Sequence, residues 1–221
     1  MIHILSEQNS ILSKFVSELR DKSIQGDPLR FRRNMERIGE IMAYEISKTM
    51  DFSVKGVQTP LGEAQVALLE EGDVVLATIL RAGVPFHNGF LNYFDRASNA
   101  FVSAYRKHTH EGDKHSFEID VEYVSSCDLT GKTLILADPM LATGASFVLV
   151  HNALIERCGT PKITHVAAII ASQAGVDYVN ENMPTPNFEI WCAAVDAELS
   201  TKSYIVPGLG DAGDLAYGSK L

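Results

Sequence analysis

The sequence predicts an α/β fold built on a largely parallel, doubly wound β-sheet, and three observations predict it. Several short segments from residue 74 onwards are apolar at nearly every position, which is typical of strands buried on both faces of a sheet. Helical segments separate several of these strands. Two amphipathic segments precede the first strand, and a glycine-rich segment follows the last one. We therefore expect N-terminal helices, a covered central sheet and a C-terminal loop.

The N-terminal part, residues 1–50, is predicted to form two helices. Apolar residues between Ile11 and Leu19 recur at helical spacing. The second helix is predicted to begin at Pro28 with Asp27 as its N-cap. Proline suits the first helical position, and a carboxylate can accept the N–H groups that have no partner there.

The segment at 54–69 contains glycine and proline residues that indicate irregular strands. The strands that follow it are predicted from runs of apolar residues. Helices are predicted at 147–158 and 174–182. Polar turn residues and alternating apolar residues at 106–125 predict a protruding β arm or flap with one face exposed. No linker or internal repeat is visible, so residues 1–221 are predicted to form one domain. The buried strands are predicted at 74–80, 100–105, 133–137, 164–170 and 188–195.

The composition limits the classes of partner and compartment. The chain of 221 residues carries a formal net charge of −9, which disfavours binding to nucleic acid or to an anionic membrane surface. An anionic ligand must therefore be met by a local cationic pocket. Three separated cysteines without a CxxC spacing predict neither a disulfide framework nor a structural metal site. With no signal segment and no apolar run of about 20 residues, we expect a cytoplasmic protein.

The residues that follow the predicted strands are the first candidates for a binding site, because open α/β sheets bind ligands at the carboxyl ends of their strands. Arg81, Arg106 and Asp138 each follow an apolar run. Arginine meets phosphate oxygens in a fork and keeps its charge, so two arginines suit a diphosphate. The carboxylate can accept hydrogen bonds from neighbouring sugar hydroxyls. The alternative is that both arginines are surface residues paired with some of the 28 acidic residues.

The segment "DPMLATGAS" at 138–146 has the features of a phosphate-binding loop. Successive backbone N–H groups around small residues can form an anion nest, and the helix that follows adds the positive end of its dipole. Thr143 and Ser146 can donate hydroxyl hydrogen bonds, while Gly144 permits a close approach and Ala145 keeps the loop narrow. The alternative is a tight strand-to-helix turn capped by the two hydroxyls.

The C-terminal segment 203–221 is glycine-rich and spells GxGxxG from Gly208 to Gly213. A dinucleotide fingerprint also needs a following helix and an acidic residue about 20 positions on. The sequence ends eight residues after Gly213, so the dinucleotide interpretation fails. A glycine-rich loop with carboxylates can instead bind a flat heterocycle through main-chain groups. The alternative is a flexible tail.

Several of these segments resemble those of the uracil phosphoribosyltransferases, which are type I phosphoribosyltransferases. "ILADPMLATGAS" resembles their loop for phosphoribosyl diphosphate (PRPP), and "YIVPGLGDAGD" resembles their uracil-binding segment. "ILRAG" and "AYRKH" resemble their two diphosphate sites. The resemblance implies transfer of the phosphoribosyl group of PRPP to uracil, giving UMP and diphosphate. The PRPP-binding residues that it implies are Arg81, Arg106, Asp138, Pro139, Met140, Leu141, Ala142, Thr143, Gly144, Ala145, Ser146 and Asp211.

The resemblance also implies a base site, catalytic residues and partners. Asp211, Arg81 and Arg106 would be the catalytic residues. Mg²⁺ would arrive mainly bound to PRPP rather than in a protein metal site, and GTP is a candidate activator. A homodimer or a higher even-numbered homo-oligomer is expected. The uracil-binding residues would be Ile205, Gly210, Asp211 and Ala212.

Two departures from the family pattern and two rival functions stay open on the sequence alone. Ala145 stands where a second glycine is usual, and Tyr217 stands where phenylalanine is usual. One rival is a regulatory homologue that senses PRPP or a nucleotide without catalysis. The other is a phosphoribosyltransferase for a different base. An assay of diphosphate release with a series of bases distinguishes all three.

Overall fold

The computed structural model describes residues 1–70, 73–109 and 116–219, with the backbone alone described at 105–109 and 116–120. Its helices are α1 (Leu12–Arg20), α2 (Pro28–Ser47), α3 (Gly83–Leu91), α4 (Ala145–Cys158), α5 (Gln173–Asn182) and α6 (Ala212–Tyr217). Its strands are β1 (Ile2–Ile4), β2 (Phe52–Thr59), β3 (Gly62–Leu69), β4 (Val74–Leu80), β5 (Ser98–Thr109), β6 (Ser116–Ser125), β7 (Thr133–Ala137), β8 (Met140–Leu141), β9 (Ile163–Ser172), β10 (Phe188–Asp196), β11 (Glu198–Leu199) and β12 (Ile205–Val206).

The central sheet has the strand order β1-β10-β9-β7-β4-β5-β6, with β8 paired beside β9. Every neighbouring pair is parallel except β5 with β6 at one edge. After β4 the chain builds β5 and β6 on one side and then returns to place β7 on the other side. This reversal of direction between β4 and β7 is the position where open α/β sheets form a ligand crevice. The predicted fold class is confirmed.

Both faces of the sheet are covered by helices, as the apolar strand sequences require. One apolar cluster joins the sheet to α1, α2 and α3, and a second joins its other face to α4 and α5. Within β7, Ile135 belongs to the first cluster and its neighbours Leu134 and Leu136 belong to the second. Successive side chains of a strand point to opposite faces, so one apolar run serves both clusters.

The start of the second helix agrees with the prediction. The side chain of Asp27 accepts hydrogen bonds from the backbone N–H groups of Leu29 and Arg30, at 3.0 and 3.1 Å. Pro28 occupies the first helical position, where its missing N–H costs nothing. The helix ends at Ser47. From Lys48 to Met50, each N–H group donates to the carbonyl oxygen three residues earlier, so the turning chain continues to Met50.

Two sequence-based predictions are wrong. The segment 54–69 was expected to be irregular, but β2 and β3 form a regular antiparallel hairpin of eight residues each. The two-residue turn between them fixes the pairing of Thr59 with Gly62. Arg106 was expected just beyond the end of a strand, but β5 continues through it because the antiparallel partner β6 extends the pairing, with Arg106 opposite Ile119.

Part of the predicted arm at 106–125 lies in β5 and β6, and residues 110–115 lie outside the described residues. Within the ranges that the structure describes, no helix combines the length and the apolar character needed to cross a membrane.

We predict that Glu18 stabilises the packing of α1 on α2 in a pH-dependent way. Its buried carboxylate accepts two hydrogen bonds from Arg30 and one from Asn34, which lower its pKa from 4.5 to about 2. A lowered pKa means that the stabilisation is complete above the unfolded value and is lost as the pH falls through the folded value. Glu18→Gln should cost about 1–3 kcal/mol of unfolding free energy at neutral pH.

Urea denaturation of both proteins over a pH series checks this prediction. The difference in unfolding free energy should shrink as the pH falls from about 4.5 to 2. Glu45→Gln is the control, because Glu45 forms an exposed pair with Lys48 that contributes less than about 1 kcal/mol. A Glu18→Gln difference that does not change with pH would contradict the prediction.

Candidate active site

A cleft of about 500 Å³ opens at the carboxyl edge of the sheet, at the crevice between β4 and β7. The loops that follow β4 and β7 form one part of its wall, and the C-terminal segment forms another. Residues from three distant parts of the sequence therefore share one cavity. The lining residues are Ile79, Leu80, Arg81, Ala82, Ala104, Asp138, Met140, Ala142, Ser146, Ser203, Tyr204, Ile205, Gly210, Asp211, Ala212 and Gly213.

Arg81 lies at the end of β4, and the Leu80–Arg81 peptide bond is cis. The guanidinium group is partly exposed, and it donates a 3.3 Å hydrogen bond to the carbonyl oxygen of Gly218. Among the side chains that the structure describes, the nearest carboxylate oxygen belongs to Asp214 and lies 3.7 Å away. These contacts are longer than the 2.7–2.9 Å typical of charge-assisted hydrogen bonds, so an anion in the cleft can compete with them.

The loop after β7 is more regular than the sequence predicted. Met140 and Leu141 form the short strand β8, which pairs with β9, so the loop proper begins at Ala142. Pro139 does not end the pairing, because its carbonyl oxygen accepts hydrogen bonds from two consecutive N–H groups of β9. The carboxylate of Asp138 accepts a 3.1 Å hydrogen bond from the N–H group of Met140 and lines the cleft.

Gly144 is the turning point of this loop. Its φ angle of 78° is left-handed, and a β-carbon placed there would lie 2.7 Å from the carbonyl oxygen of Gly175. Only glycine meets both conditions without strain. Helix α4 begins at Ala145, which therefore has helical geometry, and its methyl group in place of the usual glycine imposes no left-handed strain. The side chain of Thr143 accepts a 3.4 Å hydrogen bond from the N–H group of Ala145.

The predicted PRPP residues divide into two groups. Arg81, Asp138, Met140, Ala142, Ser146 and Asp211 line the cleft. Pro139, Leu141, Thr143, Gly144 and Ala145 shape the loop but do not line the cleft, and the side chain of Arg106 lies outside the described part of the chain.

A serine at the end of β9 holds the loop at 142–144 from beneath. The hydroxyl of Ser172 donates a hydrogen bond of 2.5 Å to the carbonyl oxygen of Ala142 and accepts one of 2.9 Å from the N–H group of Gly175. The same hydroxyl caps α5. The loop position is thus fixed by the strand beneath it and by the helix that follows that strand.

The C-terminal part of the cleft consists of a tight turn and a short helix. Gly208 has a φ angle of 55°, and a β-carbon placed there would lie 2.2 Å from the carbonyl oxygen of Ile205. Helix α6, which the sequence analysis did not predict, begins directly afterwards with Asp211 as its N-cap. The Asp211 side chain accepts a 2.9 Å hydrogen bond from the N–H group of Asp214. All four predicted uracil residues line the cleft.

The tight turn is held by the end of α1 and by the end of β10. Arg20 makes two hydrogen bonds to the carboxylate of Asp196, at 2.7 and 2.8 Å, and a third to the carbonyl oxygen of Gly208 at 3.0 Å. Asp196 also accepts a 2.9 Å hydrogen bond from the N–H group of Gly208. Burial raises the pKa of Asp196, but the hydrogen bonds from Arg20 and Gly208 outweigh burial and keep that pKa below its usual value.

Tyr217, at the end of α6, is exposed and lies beside two arginines. Its ring lies under the guanidinium group of Arg32, at 5.9 Å from the ring centroid. Burial raises the pKa of the Tyr217 phenol, and the charges of Arg32 and Arg81 partly offset that rise. The phenol therefore stays protonated at neutral pH, and the departure from phenylalanine adds no charge to the cleft.

A second cleft of about 590 Å³ lies at the opposite edge of the sheet, where the strands begin. It contains none of the predicted site residues. It is the larger of the two clefts. Open α/β sheets nevertheless bind ligands at the carboxyl ends of their strands, where the strand order reverses, so the cleft between β4 and β7 is the better candidate for the active site.

Two kinds of residue at the cleft were not predicted from the sequence. Ser203 and Tyr204 line the cleft just before Ile205, and their position next to a predicted base-binding residue could have indicated them. Arg20 and Asp196 could not be found in this way, because 176 positions separate them and no local pattern links them.

Comparison with known proteins agrees with these observations. A sequence model described as uracil phosphoribosyltransferase matches residues 6–219. A uracil phosphoribosyltransferase of Porphyromonas gingivalis is 58% identical over 221 residues, covering 100% of this chain and 99% of that protein. A uracil phosphoribosyltransferase of Pyrococcus furiosus is 39% identical over 214 residues, covering 96% of this chain and 88% of that protein.

Two solved structures extend the comparison to the fold. A protein of Aquifex aeolicus superposes with a TM-score of 0.84 at 29% identity, covering 99% of this chain and 98% of that one. An orotate phosphoribosyltransferase of Mycobacterium tuberculosis in complex with PRPP superposes with a TM-score of 0.52 at 10% identity, covering 87% and 95%, and this likeness shows the fold alone. Because the family match spans residues 6–219 and a full-length relative is 58% identical, the chain belongs to the uracil phosphoribosyltransferase family.

Proposed function

We propose that this protein transfers the phosphoribosyl group of PRPP to uracil, giving UMP and diphosphate. The observation that carries the proposal is the single cleft in which a guanidinium group, two carboxylates, a small-residue loop and a glycine-rich turn meet. The guanidinium group belongs to Arg81 and the carboxylates to Asp138 and Asp211. These are the chemical groups that a diphosphate, a ribose and a flat base each require.

The sugar phosphate would bind to the loop at 138–146. The N–H groups at the start of α4 have no partners within the helix, and a helix N-terminus favours a phosphate group. Ser146 lines the cleft in the first turn of that helix and can donate its hydroxyl. Asp138 would accept hydrogen bonds from the ribose hydroxyls, with its orientation held by the N–H group of Met140.

The reaction replaces a carbon–oxygen bond with a carbon–nitrogen bond at the anomeric carbon of the ribose. As the bond to diphosphate breaks, negative charge grows on the leaving group and positive charge grows on the ribose ring. Arg81 would stabilise the departing charge, assisted by Arg106 from β5. Groups that meet charge developing in the transition state lower the barrier more than groups that bind both states equally. Holding both substrates in one cleft supplies much of the remaining acceleration.

Uracil must lose the proton on N1 as the new bond forms. Asp211 is the carboxylate that lines the base side of the cleft, and we assign to it the acceptance or steering of this proton, directly or through water. The backbone groups of Gly210 and Ala212 would read the edge of the base. Cytosine presents an amino donor where uracil presents the O4 acceptor, so a backbone N–H group would lose its partner with cytosine.

Mg²⁺ is proposed to enter bound to the diphosphate of PRPP, where it would neutralise charge on the leaving group. The ion prefers phosphate oxygens, a few carboxylates and water to a cage of protein ligands. Asp138 and Asp211 line the cleft and fit such partial coordination. Among the residues that the structure describes, no group of three His, Cys, Asp or Glu side chains could hold a metal ion by itself.

The proposed function predicts diphosphate release that depends on uracil. Purified protein should release diphosphate from PRPP and Mg²⁺ with uracil, and at least about 10²-fold more slowly with cytosine, hypoxanthine or orotate. A parallel series with added GTP tests the activator that the family resemblance implies. Diphosphate release with a different base and not with uracil would show that this other base is the substrate. No diphosphate release with any base would favour a regulatory, nucleotide-sensing protein.

A second prediction concerns the proton at N1. Asp211→Asn should lower kcat by about 10²-fold or more, the usual contribution of a general base, and leave the KM for PRPP within about threefold. Asparagine is also a good N-cap, so α6 should keep its start. Asp177→Asn is the matched control, because it removes an exposed carboxylate on α5 that does not line the cleft. An unchanged kcat for Asp211→Asn rejects the proton role.

We also propose that the protein is a homodimer or a higher even-numbered homo-oligomer. The β2–β3 hairpin forms its own two-stranded sheet and exposes a series of apolar side chains. Isolated hairpins are marginally stable in water, and exposed apolar patches commonly mark interfaces. The large exposed apolar residues of the hairpin are Phe52, Val54, Val57, Leu61, Val66 and Leu68.

Charge introduced on the hairpin should therefore weaken the assembly. Val54 is 69% exposed, and Val54→Asp should raise the dissociation constant of the oligomer at least about tenfold, because an interface would bury the new charge. Sedimentation equilibrium measures the effect. Glu7→Gln, an exposed change on the N-terminal 3-10 helix, serves as a control. A wild-type protein that sediments as a monomer would refute the proposed assembly.

A further inference from the structure

We propose that Arg20 and Asp196 are a positioning pair that sets the affinity for uracil without touching the substrate. They act on the base turn, which we define as residues 207–210, and they hold it in the conformation that presents Gly210 to the cleft. This inference rests on the proposed function, because it assigns uracil to that part of the cleft. It adds two residues, from the end of α1 and the end of β10, to the machinery of the site.

The pair holds the two peptide units on either side of the Gly208 α-carbon. The N–H group of Gly208 donates to Asp196 at 2.9 Å, and the carbonyl oxygen of the same residue accepts from Arg20 at 3.0 Å. Because the two charged side chains are joined by a fork of two hydrogen bonds, they act as one rigid clamp. Gln25 adds a third support, a 3.1 Å hydrogen bond to the carbonyl oxygen of Leu209.

The turn depends on such a clamp because its own conformation is unfavourable. Gly208 and Gly210 both have left-handed φ angles, of 55° and 95°. Glycine loses more conformational freedom on ordering than any other residue, so a turn with two such residues does not order itself cheaply. The turn has little conformational preference of its own, so hydrogen bonds from Arg20 and Asp196 to its backbone must stabilise it.

Burial makes the clamp strong. The side chain of Asp196 is 9% exposed and that of Arg20 is 22% exposed. Water screens such a pair poorly, so the attraction exceeds that of an exposed pair. Removing Arg20 would leave a buried carboxylate without its cation, and displacement of the turn would let that carboxylate recover hydration.

The neighbouring strand carries an equivalent support for the other substrate. Asp196 ends β10 and lies in register with Ser172, which ends β9. Ser172 holds the phosphate loop through the carbonyl oxygen of Ala142, whereas Asp196 holds the base turn through Gly208. Two adjacent strand ends thus each position one substrate loop. The two supports share no hydrogen bond, so each should be separable by mutation.

Helix α6 should keep Asp211 in position even when the base turn is loosened. The carbonyl oxygen of Ala216 in this helix accepts a 2.7 Å hydrogen bond from Arg32, independently of the clamp. The side chain of Asp211 is fixed to the helix through the N–H group of Asp214. Loss of the clamp should therefore affect uracil before it affects PRPP.

The test compares Arg20→Ala with Arg30→Ala as a matched control. Arg30 also forms a two-bond fork with a buried carboxylate of α1, Glu18, but has no contact with the base turn. We expect Arg20→Ala to raise the KM for uracil at least about tenfold and the KM for PRPP less than about twofold. Arg30→Ala should lower the melting temperature by a comparable amount and change neither KM beyond about twofold.

Three further variants sharpen the test. Arg20→Lys keeps the charge but cannot reproduce the fork, so its uracil KM should lie between those of wild type and Arg20→Ala. Asp196→Asn should also raise the uracil KM selectively, and it decides the question if Arg20→Ala does not fold. Ser172→Ala should show the reverse pattern, with the PRPP KM raised more than the uracil KM.

A readout independent of turnover separates this inference from the proposed function. Hydrogen exchange measured by mass spectrometry over residues 207–212 should be faster in Arg20→Ala than in Arg30→Ala. If wild type does not use uracil, the proposed function fails, and unchanged exchange would refute the clamp separately. With an active wild type, an unchanged uracil KM in Arg20→Ala overturns the inference. Parallel rises in both KM values, matched by Arg30→Ala, would reduce the pair to a structural role and also overturn it.

Discussion

The parallel pairing of β4 with β7 is the constraint on which the site depends. Thr78 pairs with Ala137, so the two strands end at the same edge and release their loops side by side. The buried hydroxyl of Thr78 donates a 3.3 Å hydrogen bond to the carbonyl oxygen of Ala137, which fixes the two strand ends to each other. A slip of one residue would turn every side chain of a strand to the opposite apolar cluster, so the core itself enforces the register. The distance between Arg81 and Asp138 is therefore set by the packing of the whole sheet.

The base turn is positioned in a different way, because it does not directly follow a strand of the central sheet. It reaches the edge through the small β11–β12 pair and is then tied to α1 and β10 by hydrogen bonds that span up to 188 positions of sequence. The entropy cost of closing such a long loop grows only slowly with its length. Folding of the sheet already brings α1 near β10, so most of this loop-closure entropy has been lost before the base turn is bound. The clamp of Arg20 and Asp196 then has only to select one conformation of a short turn.

The sequence predicts best those elements whose own side chains decide their structure. The predicted strands at 74–80 and 133–137 agree with β4 and β7 in full, because an unbroken apolar run can satisfy both faces of a covered sheet only as a strand. Helix α2 begins where Asp27 and Pro28 predict. Two of the features that were missed depend on distant partners. The strand character of Met140 and Leu141 comes from β9, and the continuation of β5 through Arg106 comes from β6.

The candidate site shows the same division between local and distant causes. The residues within each loop could be found from the sequence, since glycine, hydroxyl and carboxylate groups after buried strands already indicate a sugar-phosphate site. The supports behind the loops could not, because Ser172, Asp196 and Arg20 look like ordinary polar residues until the fold brings them beneath the loops. Arg20 and Arg81 carry the same side chain, and both burial and the distance to a carboxylate separate their roles. Arg20 is 22% exposed and forms a short fork with its carboxylate, so its charge is committed to the structure. Arg81 is 42% exposed, and the nearest carboxylate in the described part of the chain lies 3.7 Å away. An anionic substrate can therefore bind to an acidic protein, since charges farther than about 8 Å are largely screened and the nearby guanidinium has no close anionic partner among the described residues.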